Sequence, residues 1–376
     1  MPRRARALPV LAVLVSGLGP AALATARAGG TAASAPPTPA LSTLSPEQLA
    51  GERVIYSYEG LTPPPALGAL IRAGDAAGVI FFQDNISSET QLRRVIAVLQ
   101  TDALRSPVKL PLLMLTDQEG GEVRRLPGAP APSEAQIGQS VNAIQAARAA
   151  GQAAGLNLRG VGINVNLAPV LDVYRRPVDF IAQQSRGYSR NSQTVARLGA
   201  AFIAAQQQTG VAATAKHFPG LGAAPQSTDI APARLAIPLT RLRASDERPY
   251  TAAIAAGVRL VMLSWAVYPA LDPTHPAGLS RAVINGELRT RLGFTGVTIS
   301  DALAAGALRS YGSTGRRATL AAGAGVDLIL CASGQVGEGD AAVSALAGAL
   351  TSGTLSRAGF RRSVQRVVAL RRGMRR

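Results

Sequence analysis

Eight short apolar runs, each followed by a longer stretch with helical spacing, set the strongest limit on what this chain can fold into. From residue 50 onward the runs fall at 53–58, 77–82, 110–116, 162–168, 211–217, 258–264, 296–300 and 326–331. Most are continuously apolar rather than alternating, as parallel strands buried on both faces require. Helix signals lie between them. Ser88-Glu89-Thr90-Gln91 and Ser133-Glu134-Ala135-Gln136 each match a capping box. Ser280 precedes Val283, Ile284, Leu288 and Leu292 at helical spacing, and Gly293 closes that helix. This rhythm predicts an α/β protein, a (β/α)8 TIM-type barrel forming a single domain over 46–376. A doubly wound open sheet fits the same periodicity. The last helical pattern, 353–373, is basic and either closes the barrel or packs outside it.

A barrel places its chemistry at the C-terminal ends of its strands. The residues that follow the runs here are Tyr58-Glu59, Gln83-Asp84, Asp117-Gln118-Glu119, Asn166 to Asp172, Lys216-His217, Ser264-Trp265 and Asp301. Carboxylates are plentiful among them and metal-ligand clusters are absent. That is the inventory of a carboxylate-based hydrolase, most simply a glycosidase.

Composition narrows the choice by exclusion. Among 376 residues there is one cysteine, Cys331, and there are two histidines, His217 and His275. One Cys forms no internal disulfide or Cys-rich zinc site, and two His leave little for a His-built metal centre; a glycosidase working through carboxylates needs no metal or organic cofactor. Lys+Arg number 39 against 22 Asp+Glu, a formal charge of +17, yet the only lysines are Lys109 and Lys216. The arginines are scattered, with short pairs such as Arg124-Arg125 and Arg175-Arg176 and no basic helix interleaved with aromatics. The charge therefore reads as a solvated basic surface, suited to an anionic polymer such as a cell wall rather than to nucleic acid. Gly220-Leu221-Gly222 and Gly323-Ala324-Gly325 lack the spacing of a nucleotide-binding loop.

Residues 1–28 read as a secretory signal peptide. Arg3, Arg4 and Arg6 precede an apolar stretch from Leu8 to Leu23, and small residues follow around Ala26-Arg27-Ala28. The apolar run is too short and too rich in Gly and Pro to span a membrane comfortably, and no Cys offers a lipid attachment. Cleavage would remove four arginines and no acids, taking +17 to +13. Residues 29–45, rich in Ala, Pro, Thr and Ser, read as a linker. The mature chain is expected to work outside the cytoplasm with no stable membrane anchor. The residues carry no reading of oligomeric state.

The longer motifs are more specific. Lys216-His217-Phe218-Pro219-Gly220-Leu221-Gly222 and the stretch from Thr116-Asp117-Gln118-Glu119-Gly120-Gly121 through Arg125-Leu126 resemble glycoside hydrolase family 3. The similarity is greatest to its single-domain β-N-acetylglucosaminidase branch. It continues through Leu167-Ala168-Pro169-Val170-Leu171-Asp172-Val173, through Tyr268 to Pro273, and through Leu292 to Asp301, covering about residues 50 to 335 in order. Nothing in the sequence matches the second α/β domain that many members carry.

The resemblance implies a retaining mechanism with its carboxylate nucleophile at the end of the seventh barrel strand, which here is Asp301. Taken alone, Asp301 reads equally as the N-cap of the next helix. The resemblance also implies that Asp117, Arg125, Arg186, Lys216 and His217 hold the sugar beside the nucleophile. Lys216 and His217 are adjacent, so they are expected to project differently, one of them supporting rather than touching the sugar. Arg125 and Arg186 have ordinary surface arginines as their competing reading.

One departure from the pattern matters most. Members of the branch carry an Asp-Ser-His triplet after the Lys-His motif, its histidine being the general acid/base. At the same spacing this chain has Ser227-Thr228-Asp229, and Leu221 stands where another His is common. Asp229 is therefore the candidate acid/base, with a loop-turn residue as its alternative. Trp265 stands where His is frequent and is expected either to stack on a sugar face or to pack beneath the site. The expected activity is a secreted retaining exo-glycosidase, a β-N-acetylhexosaminidase acting on terminal N-acetylglucosaminides of peptidoglycan or chitin fragments. The alternatives are a carbohydrate-binding pseudoenzyme without a working acid/base, and a β-glucosidase of the same fold.

Overall fold

In the computed structural model, described here over residues 41–374, eight parallel strands close into a barrel. They are, in chain order, Val54–Tyr56, Gly78–Ile80, Leu113–Thr116, Val165–Asn166, Ala212–Phe218, Leu260–Leu263, Val297–Ala302 and Leu328–Leu330. Each lies within an apolar run of the sequence, except that the fifth and seventh run one and two residues further. Sequential strands pair, and the first pairs with the last through Val54 against Ile329, so no edge remains and the open sheet is excluded. The signal segment, 1–28, and most of the linker, 29–45, lie outside the described residues.

Continuous apolarity has a direct structural cause. Successive side chains of a strand point to opposite faces, and here both faces are covered. Ile55, Leu260 and Met262 point into the barrel, where they meet Leu113, Val165, Ala212, Ile299 and Leu328. Their neighbours Val54, Tyr56, Val261 and Leu263 point outward into the layer between strands and helices.

A helix follows every strand, including Glu89–Arg105, Ala143–Val161, Ser192–Gln208, Thr314–Ala324 and Val336–Thr351. Both capping serines act as read. Ser88 Oγ accepts from Gln91 N, and Ser133 forms the full reciprocal box with Gln136. At the first of these, the Gln91 side chain accepts from Ser87 N instead of closing the box on Ser88. Between the third and fourth strands, Gln118–Gly120 and Val123–Arg124 form a small hairpin above the barrel. Its turn uses Gly120 and Gly121 at φ +110° and +58°, conformations that L side chains rarely adopt.

The final helix, Arg357–Gly373, closes the barrel at the end opposite the strand tips. Its Val367 and Leu370 join the barrel interior. Arg371 is buried beside Glu52 and donates to the carbonyls of Leu110 and Pro111. A basic helix can plug a core because its apolar stripe faces inward while most of its arginines remain outside.

Candidate active site

The strand tips surround a cleft of about 550 Å³. Asp117, Arg125, Arg186, Lys216, His217, Asp229 and Asp301 all line it. The barrel therefore brings together residues that lie up to 184 positions apart in the sequence.

Asp301 sits within the seventh strand, not at a helix N-terminus, which removes its reading as a cap. Its Oδ1 accepts from the backbone N of Ala302 at 2.8 Å. Burial, and then the negative charge of Asp229, push its pKa up to about 6, against the opposing pull of His217, the Ala302 N–H and Lys216. Both carboxylates line the same cleft.

Asp229 is exposed on the loop after the fifth strand. The loop is nevertheless fixed. Gly306 N donates to Asp229 O at 2.7 Å and Ala307 N to Thr228 O at 3.0 Å, while Asp229 N donates to Ser227 Oγ. Gly306 is essential to this contact, because a Cβ there would lie 2.0 Å from the carbonyl oxygen of Ile230. The segment after the seventh strand thus positions the loop that carries the second carboxylate.

The floor of the cleft is a charge network. Lys216 Nζ lies 2.7 Å from both Asp117 Oδ1 and Glu119 Oε1. Arg186 makes a bidentate pair with Glu119, both contacts at 2.8 Å. Burial of Glu119 pushes its pKa up, but Arg186 and Lys216 outweigh that and hold it at about 2. Glu134 lies buried behind this network and accepts from Val170 N at 2.9 Å. Desolvation and then the charge of Glu119 raise its pKa well above the usual carboxylate range. Arg125 reaches the cleft with its Nε buried and unpartnered, so it has bonding capacity to give a ligand.

The Lys216–His217 peptide is cis, and both side chains line the cleft, contrary to the expectation that adjacent residues would diverge. His217 Nδ1 lies 2.7 Å from the buried Asp172, whose other oxygen accepts from the backbone N of Leu221 at 2.6 Å. Asp172 accepts only, so Nδ1 carries the proton and Nε2 is left as the other polar atom of the ring.

Trp265 does not line the cleft. It is 1% exposed, its ring is covered by Gly278, and its Nε1 donates to Ala302 O at 2.9 Å. Stacking on a sugar is therefore ruled out, and the residue instead supports the end of the seventh strand, beside Asp301, from behind. Sequence reasoning assigned no role to Glu119, Glu134, Asp172 or Gly306. Glu119 and Asp172 lay inside quoted motifs, but their partners are 67 and 45 residues away.

Residues 62–370 match the glycosyl hydrolase family 3 N-terminal domain. The chain belongs to glycosyl hydrolase family 3. As a member it is a glycoside hydrolase, in the branch its motifs resemble. It is 46% identical to an uncharacterized secreted glycosyl hydrolase of Arthroderma benhamiae, over 85% of this chain and 92% of that protein. A β-hexosaminidase of Xanthomonas oryzae is 36% identical over 68% of this chain and 75% of its own. Among solved structures of the family, the β-N-acetylglucosaminidase of Paenibacillus sp. superposes with a TM-score of 0.84 at 35% identity. That match covers 88% of this chain and 63% of the Paenibacillus protein. A β-N-acetylhexosaminidase from Beutenbergia cavernae gives 0.79 at 30% identity, covering 87% of this chain and 98% of that one. No helix among the described residues is long and apolar enough to cross a membrane.

Proposed function

We propose that this family 3 member is an exported, retaining exo-β-N-acetylhexosaminidase that removes terminal N-acetylglucosamine from cell-wall or chitin fragments. The observation that carries the reading is the pair Asp301 and Asp229, one at a strand tip and one on a pinned loop, both lining one sugar-sized cleft. Asp301 attacks the anomeric carbon as the bond to the leaving oxygen breaks, and Asp229 gives that oxygen its proton. Water then attacks the glycosyl-aspartate, loses its proton to Asp229, and releases the sugar and free Asp301. In the empty cleft burial favours the proton on Asp301. Asp117, Lys216, Arg186 and Arg125 supply acceptors and donors for sugar hydroxyls, and His217 is held by Asp172 for the same purpose. The names of the relatives support the N-acetylhexosaminide as substrate. The leader-like residues 1–28 and the secreted relative support export.

Turnover of aryl N-acetylglucosaminides with good and poor leaving groups, beside the matching glucosides, tests this reading. The wild type should cleave both N-acetylglucosaminides and prefer them to glucosides. Asp229→Ala should lose about 10²–10⁴-fold in kcat/KM on the poor leaving group and far less on the good one. An equal loss on both would remove Asp229 as the acid. Preference for the glucosides would make the protein a β-glucosidase, and no turnover of any would make it a binding protein.

A further inference from the structure

The catalytic cleft uses few of the chain's arginines. A second cleft, of about 420 Å³, gathers three more: Arg175, Arg190 and Arg241, together with Tyr174, Asn191 and Ser245. Segments beside the two clefts abut. Gly222, next to the cleft-lining Leu221, packs so closely on the other side that a Cβ there would lie 2.4 Å from the carbonyl of Val173. Gly187, next to the cleft-lining Arg186, lies against the ring of Tyr174.

The charges at this second cleft do not balance. Arg175 is satisfied by the buried Asp246, with contacts of 2.9 and 2.7 Å. Arg190 and Arg241 are exposed, and neither guanidinium makes an ion pair or hydrogen bond among the described residues. Two unneutralised guanidiniums drawn to one concavity repel each other unless an anion lies between them. The planar fork of Arg matches carboxylate and phosphate oxygens in pairs, and the neutral donors of Tyr174, Asn191 and Ser245 are available to complete such a contact.

We propose that this arginine cleft is an anion-binding subsite. It holds a carboxylate or phosphate borne by the saccharide polymer whose terminal sugar enters the neighbouring catalytic cleft, and its link to a polymer rests on the glycosidase reading above. The subsite gives the basic surface a specific purpose: it selects sugars that sit on charged fragments over neutral ones.

The test compares the wild type with Arg190→Ser/Arg241→Ser on two ligands, a neutral nitrophenyl N-acetylglucosaminide and a peptide-bearing cell-wall fragment with free carboxylates. The double variant should raise KM for the charged fragment roughly tenfold and leave the neutral substrate unchanged. Added salt should weaken only the fragment. Calorimetric titration of the same fragment needs no turnover, so it reads the subsite even if the glycosidase reading fails. Equal binding of the fragment by wild type and variant, or an equal loss on both substrates, would overturn the subsite. Inorganic phosphate binding as tightly as the fragment would overturn the polymer as the source of the anion.

Discussion

Asp301 is held where its charge is least welcome and most useful. Burial and the charge of Asp229 in the same cleft resist ionisation and set its pKa at about 6, while His217, Lys216 and the Ala302 N–H keep the ionised form within reach. A nucleophile must be ionised, so kcat/KM should fall as pH drops through about 6. The sign of the Asp229 contribution can be checked separately. Replacing Asp229 by Asn removes a negative neighbour, so the acid limb should move to lower pH when measured with an activated aryl substrate that needs no proton donor. A limb that stays in place would mean the two carboxylates do not interact. That Asp301, Asp117, Lys216 and His217 would gather at one cleft was legible because each sits in a motif at a strand tip, whereas Asp229 was placed only by its spacing from Lys216. Asp172, Glu119 and Glu134 were not, because what they do depends on partners that only the closed barrel brings near.

The strands were legible because two-sided burial demands unbroken apolar sequence, and all eight runs became barrel strands. What periodicity left open was the place of the last helix, since an amphipathic stripe says that something is covered but not what. Its Arg371 is paired with Glu52 at the closed end, where burial raises the pKa of Glu52 against the pull of the guanidinium. Removing one partner of a buried pair leaves the other uncompensated. Arg371→Ala should therefore cost about 3–5 kcal/mol in denaturant unfolding. Glu52→Gln with Arg371→Met should recover much of that. Kinetics of the folded variants should stay close to wild type, because the active cleft lies at the other end of the barrel. A variant as stable as the wild type would contradict the role given to this helix as the plug. The loop of Asp229 shows the same limit on reading from sequence, since Gly306 fixes it from 77 residues away.

At the scale of the molecule, a largely apolar barrel interior carries a polar cleft at one end and a helical plug at the other. Chemistry and stability are thereby separated, and the proposed change of acid/base from His to Asp falls on a loop outside the core. The arginine excess, which in the sequence reads as general surface charge, is concentrated in part beside the cleft. The claim that joins these features is that Asp301 forms a covalent bond to the sugar. It is tested most directly with 5-fluoro-N-acetylglucosaminyl fluoride, whose ring fluorine slows both steps while its fluoride leaving group keeps the first one fast. Intact mass followed by peptide mapping should find one sugar per chain, attached to Asp301, and Asp301→Ala should not be labelled. A label on any other carboxylate, or steady turnover with an inverted product and no label, would contradict the account.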